Sequence, residues 1–394
     1  MKDGLCTSSR GKRYRLLIAV WLVSLVVFGA CGLRSGPCPE KAPLISDHFD
    51  GKFYYNPGSP TGQGEGPKRS IWGWVWLWLT REDWSEFKEL PPGSKPPARV
   101  PKGTLRITSI GHATFLIQID GLNILTDPIW SDRCSPFSWV GPKRHSRPGL
   151  LMGDLPPIDA VLVSHNHYDH LDLPTLEQLA RKGTRRSLVP LGNGELVRSA
   201  GIPKVDELDW WQTLPLSADI TVTLVPARHF SSRTLWDRNQ TLWGGFIISG
   251  TRGNIFFAGD TGYGPHFQEI ARRFSPIRVA LLPIAPFQPK NSTYSSPGQS
   301  FRLHMGPREA VQAHLDLGAP VSLAAHFQVF QLGADGFNDA VAELGLTLKQ
   351  GNLNPETFLA LSPGQSHEWI GSLPETTHTV KRGTLGQDAR KEIH

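Results

Sequence analysis

The chain lacks several features that mark particular classes of protein. No stretch combines closely spaced basic residues with interleaved aromatics, and the formal net charge of +6 over 394 residues is mild. Much of that charge lies near the two ends, in residues 2–15 and 381–391. A nucleic acid is therefore not expected as a partner, because nucleic-acid binders present a basic surface to the phosphates.

Cysteine is scarce, with 4 residues in the whole chain. Cys6 lies in the basic N-terminal stretch, and Cys31 directly follows an apolar run. Only Cys38 and Cys134 remain, and they could pair in an oxidising compartment or both stay free. The hydrophobic content of 39% suits an ordinary globular core, in one large domain with additions or in two domains.

An apolar run long enough to span a membrane is also missing from the N-terminal region. Residues 16–30, LLIAVWLVSLVVFGA, are apolar apart from Ser24, but a spanning helix needs about 20 such residues. The basic stretch followed by this run predicts a signal peptide or lipoprotein leader over residues 1–31. The ending FGAC resembles the lipobox of bacterial lipoproteins, with Phe28 in place of the usual Leu, which implies acylation of Cys31. An uncleaved N-terminal anchor is the alternative.

Both interpretations of the leader predict the same location. The basic flank stays in the cytoplasm and the rest of the chain is exported. We therefore expect a membrane-anchored protein of the bacterial envelope that faces the periplasm, with the membrane surface as a partner. If Cys31 is acylated, the protein is a lipoprotein of the inner or outer membrane.

Residues 32–101 are predicted to form an N-terminal extension. NPGSPTGQGEGPK is turn-forming, and LPPGSKPPARVP is a Pro-rich linker. Between them Trp72, Trp74, Trp76 and Trp78 recur at period two, as on one face of a strand. This Trp-rich segment is either an interfacial membrane patch or a hydrophobic flap packed on the main domain.

Residues 102–370 are predicted to form one domain of short strands with inserted helices. Strand-like runs include AVLVS, SLVPL, ITVTLV, NIFF and VSLAA, and helices are predicted over 174–181, 307–317 and 335–344. This order indicates sheets covered by helices. The polar tail, 371–394, is expected to be disordered.

One loop carries most of the chemistry. In VLVSHNHYDHLDLPTL, the side chains His165, His167, Asp169 and His170 form an H-x-H-x-D-H pattern behind a buried strand. Neutral imidazole and carboxylate are the ligands of zinc and similar divalent ions. In an extended turn the first two histidines project the same way, while Asp169 and His170 can swing toward a second position. The loop therefore predicts two metal half-sites.

The remaining ligands are expected at the ends of later strands. His229 follows ITVTLVPA, Asp260 follows NIFFAG and His326 follows VSLAA. Any of the three alone is more often a structural residue, but together with the histidine loop they favour a metal site. Adding His229 to the first half-site and His326 to the second completes two groups, which Asp260 could bridge.

These motifs, in this order, resemble the metallo-β-lactamase superfamily over roughly residues 102 to 365: a strand, then SHNHYDHLD, RHF, FAGDTG and AAHF. The resemblance implies an α+β fold, a four-layer αββα sandwich with a binuclear site at one sheet edge. Two zinc ions, or another divalent metal, are the implied cofactors. Asp127 in LTDP matches the family's early aspartate, which orients a ligand histidine.

Longer stretches resemble one branch of that superfamily, the N-acylphosphatidylethanolamine-hydrolysing phospholipases D. They include IGHATFLIQIDGLNILTDPIWSDRCSP, VGPKRHSRPG, HNHYDHLDLPTL, PLGNGELVRSAGIPKVDELDWWQ, LLPIAPFQPK and HMGPREAV. The resemblance implies a zinc-dependent phosphodiesterase that cleaves this phospholipid substrate to N-acylethanolamine and phosphatidate. The chain departs from the branch after the last metal histidine, where Gln328 and Val329 replace the frequent Gly-Thr and could change what the pocket admits.

Three carboxylates are the expected catalytic groups. Asp260 bridges the metal positions and keeps the attacking water in place, Asp169 is a neighbouring ligand, and Asp127 steadies the ligand set. Zinc β-lactamases carry Cys at the position of Asp260, so a lactamase is disfavoured. Tyr168 and His304 are candidate substrate contacts, with a packing role as the alternative for Tyr168.

Three other functions stay open. Another hydrolase of the superfamily, such as a lactonase or a soluble phosphodiesterase, would fit the departure at Gln328 and Val329. A nuclease acting on tRNA or DNA is disfavoured by the leader and by the missing basic groove. A non-catalytic envelope protein that binds lipid or a partner is disfavoured because every predicted ligand position carries a His or Asp side chain.

Overall fold

The computed structural model of the protein describes residues 46–56, 84, 87, 89–91, 93–287 and 303–370. The predicted leader, the Trp-rich segment, Cys38 and the polar tail lie outside these residues. Across the described part of the chain, none of the helices has the length and apolarity that crossing a membrane requires.

The first sheet has seven strands in the order β14-β1-β2-β3-β4-β5-β6. Their bounds are β1 Thr104–Gly111, β2 Thr114–Ile119, β3 Leu122–Thr126, β4 Ala160–Leu162, β5 Arg186–Pro190, β6 Lys204–Leu208 and β14 Ser366–Ile370. The strands from β14 to β3 pair antiparallel, and those from β3 to β6 pair parallel. In β2, Phe115 and Ile117 face the other sheet while Leu116 faces the helices, because successive side chains of a strand alternate.

The second sheet repeats this plan in the order β13-β12-β11-β10-β9-β8-β7. Its strands are β7 Thr213–Pro215, β8 Thr221–Val225, β9 Gly245–Gly250, β10 Gly253–Phe257, β11 Ile277–Pro283, β12 Val321–Ala325 and β13 Phe358–Leu359. The strands from β7 to β10 pair antiparallel, and those from β10 to β13 pair parallel. The run VALLP in β11 is buried, as expected for a parallel strand that is covered on both faces.

Five helices cover the sheets within the described residues: α1 Leu173–Arg181, α2 Gly194–Ser199, α3 His266–Phe274, α4 Pro307–Leu317 and α5 Asp339–Gln350. Short 3-10 turns lie at Met152–Asp154 and Pro355–Thr357. The prediction of a helix over 335–344 was wrong at both ends, since α5 begins at Asp339 and continues to Gln350. The carboxylate of Asp339 accepts a hydrogen bond from the backbone N–H of Gly336 at 2.7 Å, which closes a turn ahead of α5.

Three apolar layers hold the elements together. The central layer lies between the sheets and contains Phe115 from β2 and Phe257 from β10. A second layer packs Leu176 of α1 on the first sheet, and a third packs Phe267 of α3 on the second sheet. The predicted αββα sandwich of the α+β class is thereby confirmed.

Residues 47–56, assigned from the sequence to the extension, belong to the same compact unit as the sandwich. His48 stacks on Trp210 with ring centroids 3.8 Å apart, and its Nε2 lies 3.0 Å from the carboxylate of Asp209. Tyr54 is buried in the central layer. Further along, the indole N–H of Trp84 donates to the backbone oxygen of Asp335 at 2.7 Å.

Candidate metal centre

Ligand-type side chains from both sheets meet at one edge of the sandwich. Asp127 follows β3, the loop His165–His170 follows β4, His229 follows β8, Asp260 follows β10 and His326 follows β12. Parallel strands end at the same edge of a sheet, which is where such folds bind ligands. The structure brings all seven of the predicted metal ligands into groups whose ligand atoms lie within 4.8 Å of one another.

The first group consists of three histidines. His165 Nε2 lies 2.8 Å from His167 Nδ1, and His229 Nε2 lies 3.2 Å from the same nitrogen. All three nitrogens therefore converge on a single point. Outside the cluster, His229 Nδ1 lies 2.9 Å from the backbone oxygen of Leu303. A hydrogen bond donated there leaves the Nε2 lone pair facing the group.

The second group is built around Asp169. Its Oδ2 lies 3.2 Å from His170 Nε2 and 3.3 Å from His326 Nε2. His112 adds a third contact, with its Nε2 2.9 Å from the same oxygen. The second group thus contains one histidine more than the sequence predicts.

Asp260 lies between the two groups. Its Oδ2 is 3.3 Å from His170 Nε2 and 3.2 Å from His326 Nε2 on one side, and 3.7 Å from His229 Nε2 on the other. The placement is the one that the predicted bridging role requires. His304 also faces this carboxylate, with its Nδ1 3.7 Å from Oδ2.

Asp127 lies outside the second group and contacts it through Nδ1 of His170, the ring nitrogen that faces away from Asp169. Its Oδ2 is 2.7 Å from His170 Nδ1, and it also accepts a hydrogen bond from the hydroxyl of Ser164 at 2.6 Å. The backbone N–H of Ser164 donates to the other carboxylate oxygen at 2.7 Å. With its Nδ1–H held by Asp127, His170 presents Nε2 to the cluster.

Unpaired polar atoms in the cluster fit a bound cation. His170 Nε2, Asp260 Oδ1 and His304 Nδ1 are buried and have no hydrogen-bond partner among the described residues. Buried polar atoms are rarely left unpaired, and an ion accounts for several at once. Imidazole nitrogens with carboxylate oxygens are also the donor set of zinc. The residues present therefore fit the predicted metal.

The pKa values of several residues in the cluster also bear on metal binding. Burial, with the neighbouring His170, lowers the pKa of His165 well below its usual value, and burial lowers that of His167 to about 4. Burial works against the ionised form of Asp260, but the contacts with His170 and His326 hold its pKa well below the usual range. Neutral His165 and His167 and an ionised Asp260 are the protonation states that metal binding needs. Two ligands differ: burial works against their charged forms, but Asp260 and Asp169 raise the pKa of His170 well above its usual value and that of His326 to about 9, so both rings must release a proton when an ion binds.

His112 and Asn56 were missed by sequence reasoning. His112 occupies the turn between β1 and β2 with φ of 59°, a left-handed conformation that turns its ring toward Asp169. It lies in the stretch IGHATF, which the resemblance singled out only as a family motif. Asn56 contacts the backbone of His229 from the N-terminal segment, and no sequence pattern links the two residues.

The two candidate substrate contacts occupy different surroundings. His304 lies inside the cluster, with 19% of its side chain exposed, and burial lowers its pKa to about 4. Tyr168 points to a neighbouring loop: its hydroxyl donates to the backbone oxygen of Arg233 at 3.1 Å, and the guanidinium of Arg233 lies 3.9 Å from the ring centroid.

The residues that depart from the branch lie near the cluster in sequence, but their side chains have other partners. The amide of Gln328 donates to the side-chain oxygen of Asn338 at 2.9 Å, in an exposed pair. Val329 is buried in a small apolar cluster with Ile129, Cys134 and Phe330.

Known proteins share this architecture. A model of the β-lactamase superfamily domain matches residues 122–327. A solved structure of a possible metal-dependent hydrolase from Veillonella parvula superposes with a TM-score of 0.53 at 18% identity, over 68% of this chain and 99% of that one. That likeness concerns the fold.

Two of the relatives with similar sequences differ in identity and coverage. An uncharacterised protein of Mycobacterium tuberculosis is 41% identical over 245 residues, and the match spans 61% of this chain but only 63% of that protein's length. An N-acyl-phosphatidylethanolamine-hydrolysing phospholipase D of Caenorhabditis elegans is 31% identical over 316 residues, covering 76% of this chain and 87% of the relative. The chain therefore belongs to the metallo-β-lactamase superfamily, in the branch that contains the N-acylphosphatidylethanolamine-hydrolysing phospholipases D.

Proposed function

We propose that the protein is a metal-dependent phosphodiesterase that cleaves N-acylphosphatidylethanolamine to N-acylethanolamine and phosphatidate. The position of Asp260 carries the proposal, because its carboxylate lies within 3.7 Å of imidazole nitrogens from both histidine groups. A phosphodiester suits a centre with two cation positions, since its negative charge needs neutralising before a nucleophile can approach. The name of the C. elegans relative supports the lipid substrate.

Two zinc ions are the proposed cofactors, and another divalent metal would use the same ligands. One ion would be held by the first histidine group and the other by Asp169, His170 and His326, with Asp260 shared between them. When bound, such ions lower the pKa of a water molecule and neutralise charge on the phosphoryl oxygens.

Hydrolysis joins the water oxygen to phosphorus and breaks the bond from phosphorus to the ethanolamine oxygen, which takes up a proton. The protein's part is to fix the groups that surround these atoms. Asp127 fixes the ring of His170, and the backbone oxygen of Leu303 fixes that of His229. His304 is neutral at pH 7 and partly exposed, so its imidazole is proposed to contact the substrate.

Asp169 and Asp260 place two negative charges inside the cluster. Burial alone would favour their neutral forms, yet neighbouring histidines keep the pKa of each carboxyl well below its usual range. Both are therefore ionised at neutral pH, which favours binding of divalent cations. Asp260 also distinguishes the centre from that of zinc β-lactamases, which the resemblance gives as carrying Cys at this position.

The alternative is that the protein is a different hydrolase of the same superfamily, which acts on lactones or on soluble phosphodiesters. The sequence departure at Gln328 and Val329 is the observation in its favour. A non-catalytic envelope protein that binds lipid is less well supported, because it would have no use for a set of buried ligand atoms without partners.

The proposed location is the bacterial envelope. The basic stretch and apolar run of residues 1–30 support export and a membrane anchor, with Cys31 as the proposed lipidation site. A membrane-tethered enzyme would stay close to a phospholipid substrate, so the membrane surface is its proposed partner.

The test combines metal content with a substrate panel. Purified protein is expected to contain divalent metal and to hydrolyse N-acylphosphatidylethanolamine faster than simple phosphodiesters or lactones. Asp260→Asn and His229→Ala are expected to abolish hydrolysis. Full activity in either variant would show that the assigned centre is wrong, whereas preference for lactones would favour the alternative.

A further inference from the structure

We propose that two loops beside the metal centre, loop 131–143 and loop 231–238, form a surface that docks on a bilayer containing anionic phospholipids. The proposal rests on the proposed phospholipid hydrolysis, since a substrate embedded in a bilayer must be reached at its surface. It assigns membrane contact to the sandwich itself, apart from the leader and the Trp-rich segment.

Exposed apolar side chains concentrate in these loops. The described residues include seven large hydrophobic side chains that are exposed, and four of them lie here: Phe137, Trp139, Leu235 and Trp236. Trp236 is 68% exposed and Leu235 66%. Scattered exposed apolar residues are ordinary, but such a concentration at two loops marks an interaction surface.

Both loops are fastened to the loop that carries the metal ligands. The guanidinium of Arg233 donates to the backbone oxygens of Asn166 and Leu171, each at 2.8 Å. On the other side, the hydroxyl of Ser131 donates to the carboxylate of Asp172 at 2.8 Å. The two exposed loops therefore both contact the segment 165–172, which carries four of the proposed metal ligands.

Tyr168 connects the two loops. Its ring packs against the apolar cluster that contains Cys134 of loop 131–143. The same ring carries the guanidinium of Arg233 from loop 231–238, 3.9 Å from its centroid. Tyr168, which lies between the proposed metal ligands in sequence, therefore contacts both loops.

The exposed aromatics are held by ordered backbone. In loop 231–238, the carboxylate of Asp237 accepts hydrogen bonds from the backbone N–H groups of Arg233 at 3.0 Å and Thr234 at 2.8 Å. In loop 131–143, the rings of Phe137 and Trp139 lie 5.6 Å apart. Fixed loops present these side chains to solvent without the entropic cost of ordering them on contact.

Charge identifies the partner. The two loops carry four basic residues, of which Lys143 and Arg238 are exposed, against the two acidic residues Asp132 and Asp237. The guanidinium of Arg238 lies 4.1 Å from the ring centroid of Phe230. Trp favours the headgroup zone of a bilayer, and basic residues near an anionic membrane are attracted to its surface. Exposed tryptophans with neighbouring cations therefore fit a surface of anionic phospholipid headgroups.

Hydrogen–deuterium exchange of the full-length protein tests the surface directly. The probe is vesicles of phosphatidylcholine and phosphatidylglycerol that contain no N-acylated lipid. Peptides covering residues 131–143 and 231–238 are expected to exchange more slowly with these vesicles than without them, and less so with phosphatidylcholine alone. Unchanged exchange in both loops overturns the proposal. Because no substrate is present, the outcome is independent of the proposed hydrolysis.

A double variant, Trp139→Ser with Trp236→Ser, provides the second readout. Hydrolysis of vesicle-embedded substrate is expected to fall about tenfold or more, as two aromatic side chains no longer bury in the interface. Hydrolysis of a short-chain, water-soluble phosphodiester is expected to remain at the wild-type rate. The matched control is Leu346→Ser, which alters an exposed apolar residue of α5.

Two results would contradict the assignment. Equal losses on both substrates would mean that the loops act on the centre and not on the membrane. Concentration-dependent protection of the loops without vesicles, abolished in the double variant, would show that a second copy of the chain covers them. If no N-acylated lipid is cleaved but the loops are still protected by vesicles, the docking surface stands and the proposed function fails.

Discussion

The side-chain amide of Asn56 pairs with the backbone of His229. Asn56 Nδ2 donates to the carbonyl oxygen of His229 at 3.0 Å, and the N–H of His229 donates to Asn56 Oδ1 at 2.9 Å. Both residues are buried. Since the His229 ring is held by Leu303, the backbone and the imidazole of this ligand are fixed by segments outside its own strand.

Replacing Asn56 with Ala is expected to weaken metal binding about tenfold, as for other partners that orient a ligand. The reason is that His229 loses both backbone hydrogen bonds while its side chain remains. The measurement is metal transfer to a competing chelator, followed with the purified protein. Lys52→Ala, in the same segment but exposed, is the control. Wild-type affinity in Asn56→Ala would mean that this segment does not position the ligand.

His112→Asn tests the histidine that the sequence did not reveal. Asn tolerates the left-handed backbone at this position, so the substitution removes the imidazole without adding strain. Asp169 then loses its contact at 2.9 Å, and we expect the second group to bind its ion about tenfold more weakly while the first group keeps its ion.

Metal content after dialysis against a weak chelator measures the effect of His112→Asn. His367→Asn is the control, since that residue lies on β14 beside Trp369 and away from the cluster. Retention of the full wild-type metal content would show that His112 contributes to packing but not to metal binding.

His314 provides a pH test away from the metal centre. It is buried on α4 with its Nδ1 2.8 Å from the hydroxyl of Ser322, and burial lowers its pKa to about 4 from 6.5. Below pH 6.5 the unfolded chain binds a proton at this residue that the folded protein does not, so stability falls as pH drops toward 4. Between pH 6.5 and pH 5 this residue should account for a loss of about 2 kcal/mol.

The expected consequence is a flatter pH profile in His314→Gln. Urea unfolding at pH 7, pH 6 and pH 5 gives the free energy of unfolding for the wild type and the variant. Because every other titrating group is common to both proteins, the difference isolates His314. Parallel profiles would mean that His314 has the same pKa in the folded and unfolded states.

Gln328→Gly tests whether the departure from the branch decides the substrate. Gln328 has φ of 56°, which suits glycine, and its side chain reaches Asn338 in an exposed pair. We therefore expect the ratio of rates on N-acyl phospholipid and on a lactone to stay at the wild-type value. Gln328→Ala, which keeps a β-carbon, is the comparison. A shift of the ratio toward the phospholipid in Gln328→Gly would place this residue in the substrate pocket.

Local patterns predicted what lies close in sequence or at strand ends. The spacing of His165, His167 and Asp169 predicted a metal-binding loop, and the strand ends added His229 and His326, which the structure places in the same cluster. The shared location could be predicted because strand direction determines which edge of a sheet receives the side chains that follow its strands. The four-layer fold came from the family resemblance, which the alternation of apolar residues in β2 matches.

Other features depend on tertiary structure. His112 contacts Asp169 because its turn adopts a left-handed conformation, and a histidine in the sequence does not predict that conformation. Asn56 is 173 positions from His229 in sequence. Its segment has the composition of a linker, and only the structure shows that it packs on the sandwich. The start of α5 was misplaced because the side chain of Asp339 closes a turn that apolar periodicity does not reveal.

The proposed function requires that this centre hydrolyses the phosphodiester of N-acylphosphatidylethanolamine on its ethanolamine side. Incubation of the metal-loaded protein with this lipid in water enriched in oxygen-18, followed by mass spectrometry of the products, measures where the water oxygen goes, with Asp260→Asn as the inactive control. We expect label in phosphatidate and none in N-acylethanolamine, because the water oxygen joins phosphorus. Label in a released fatty acid or in N-acylethanolamine, or equal turnover by Asp260→Asn, would contradict it.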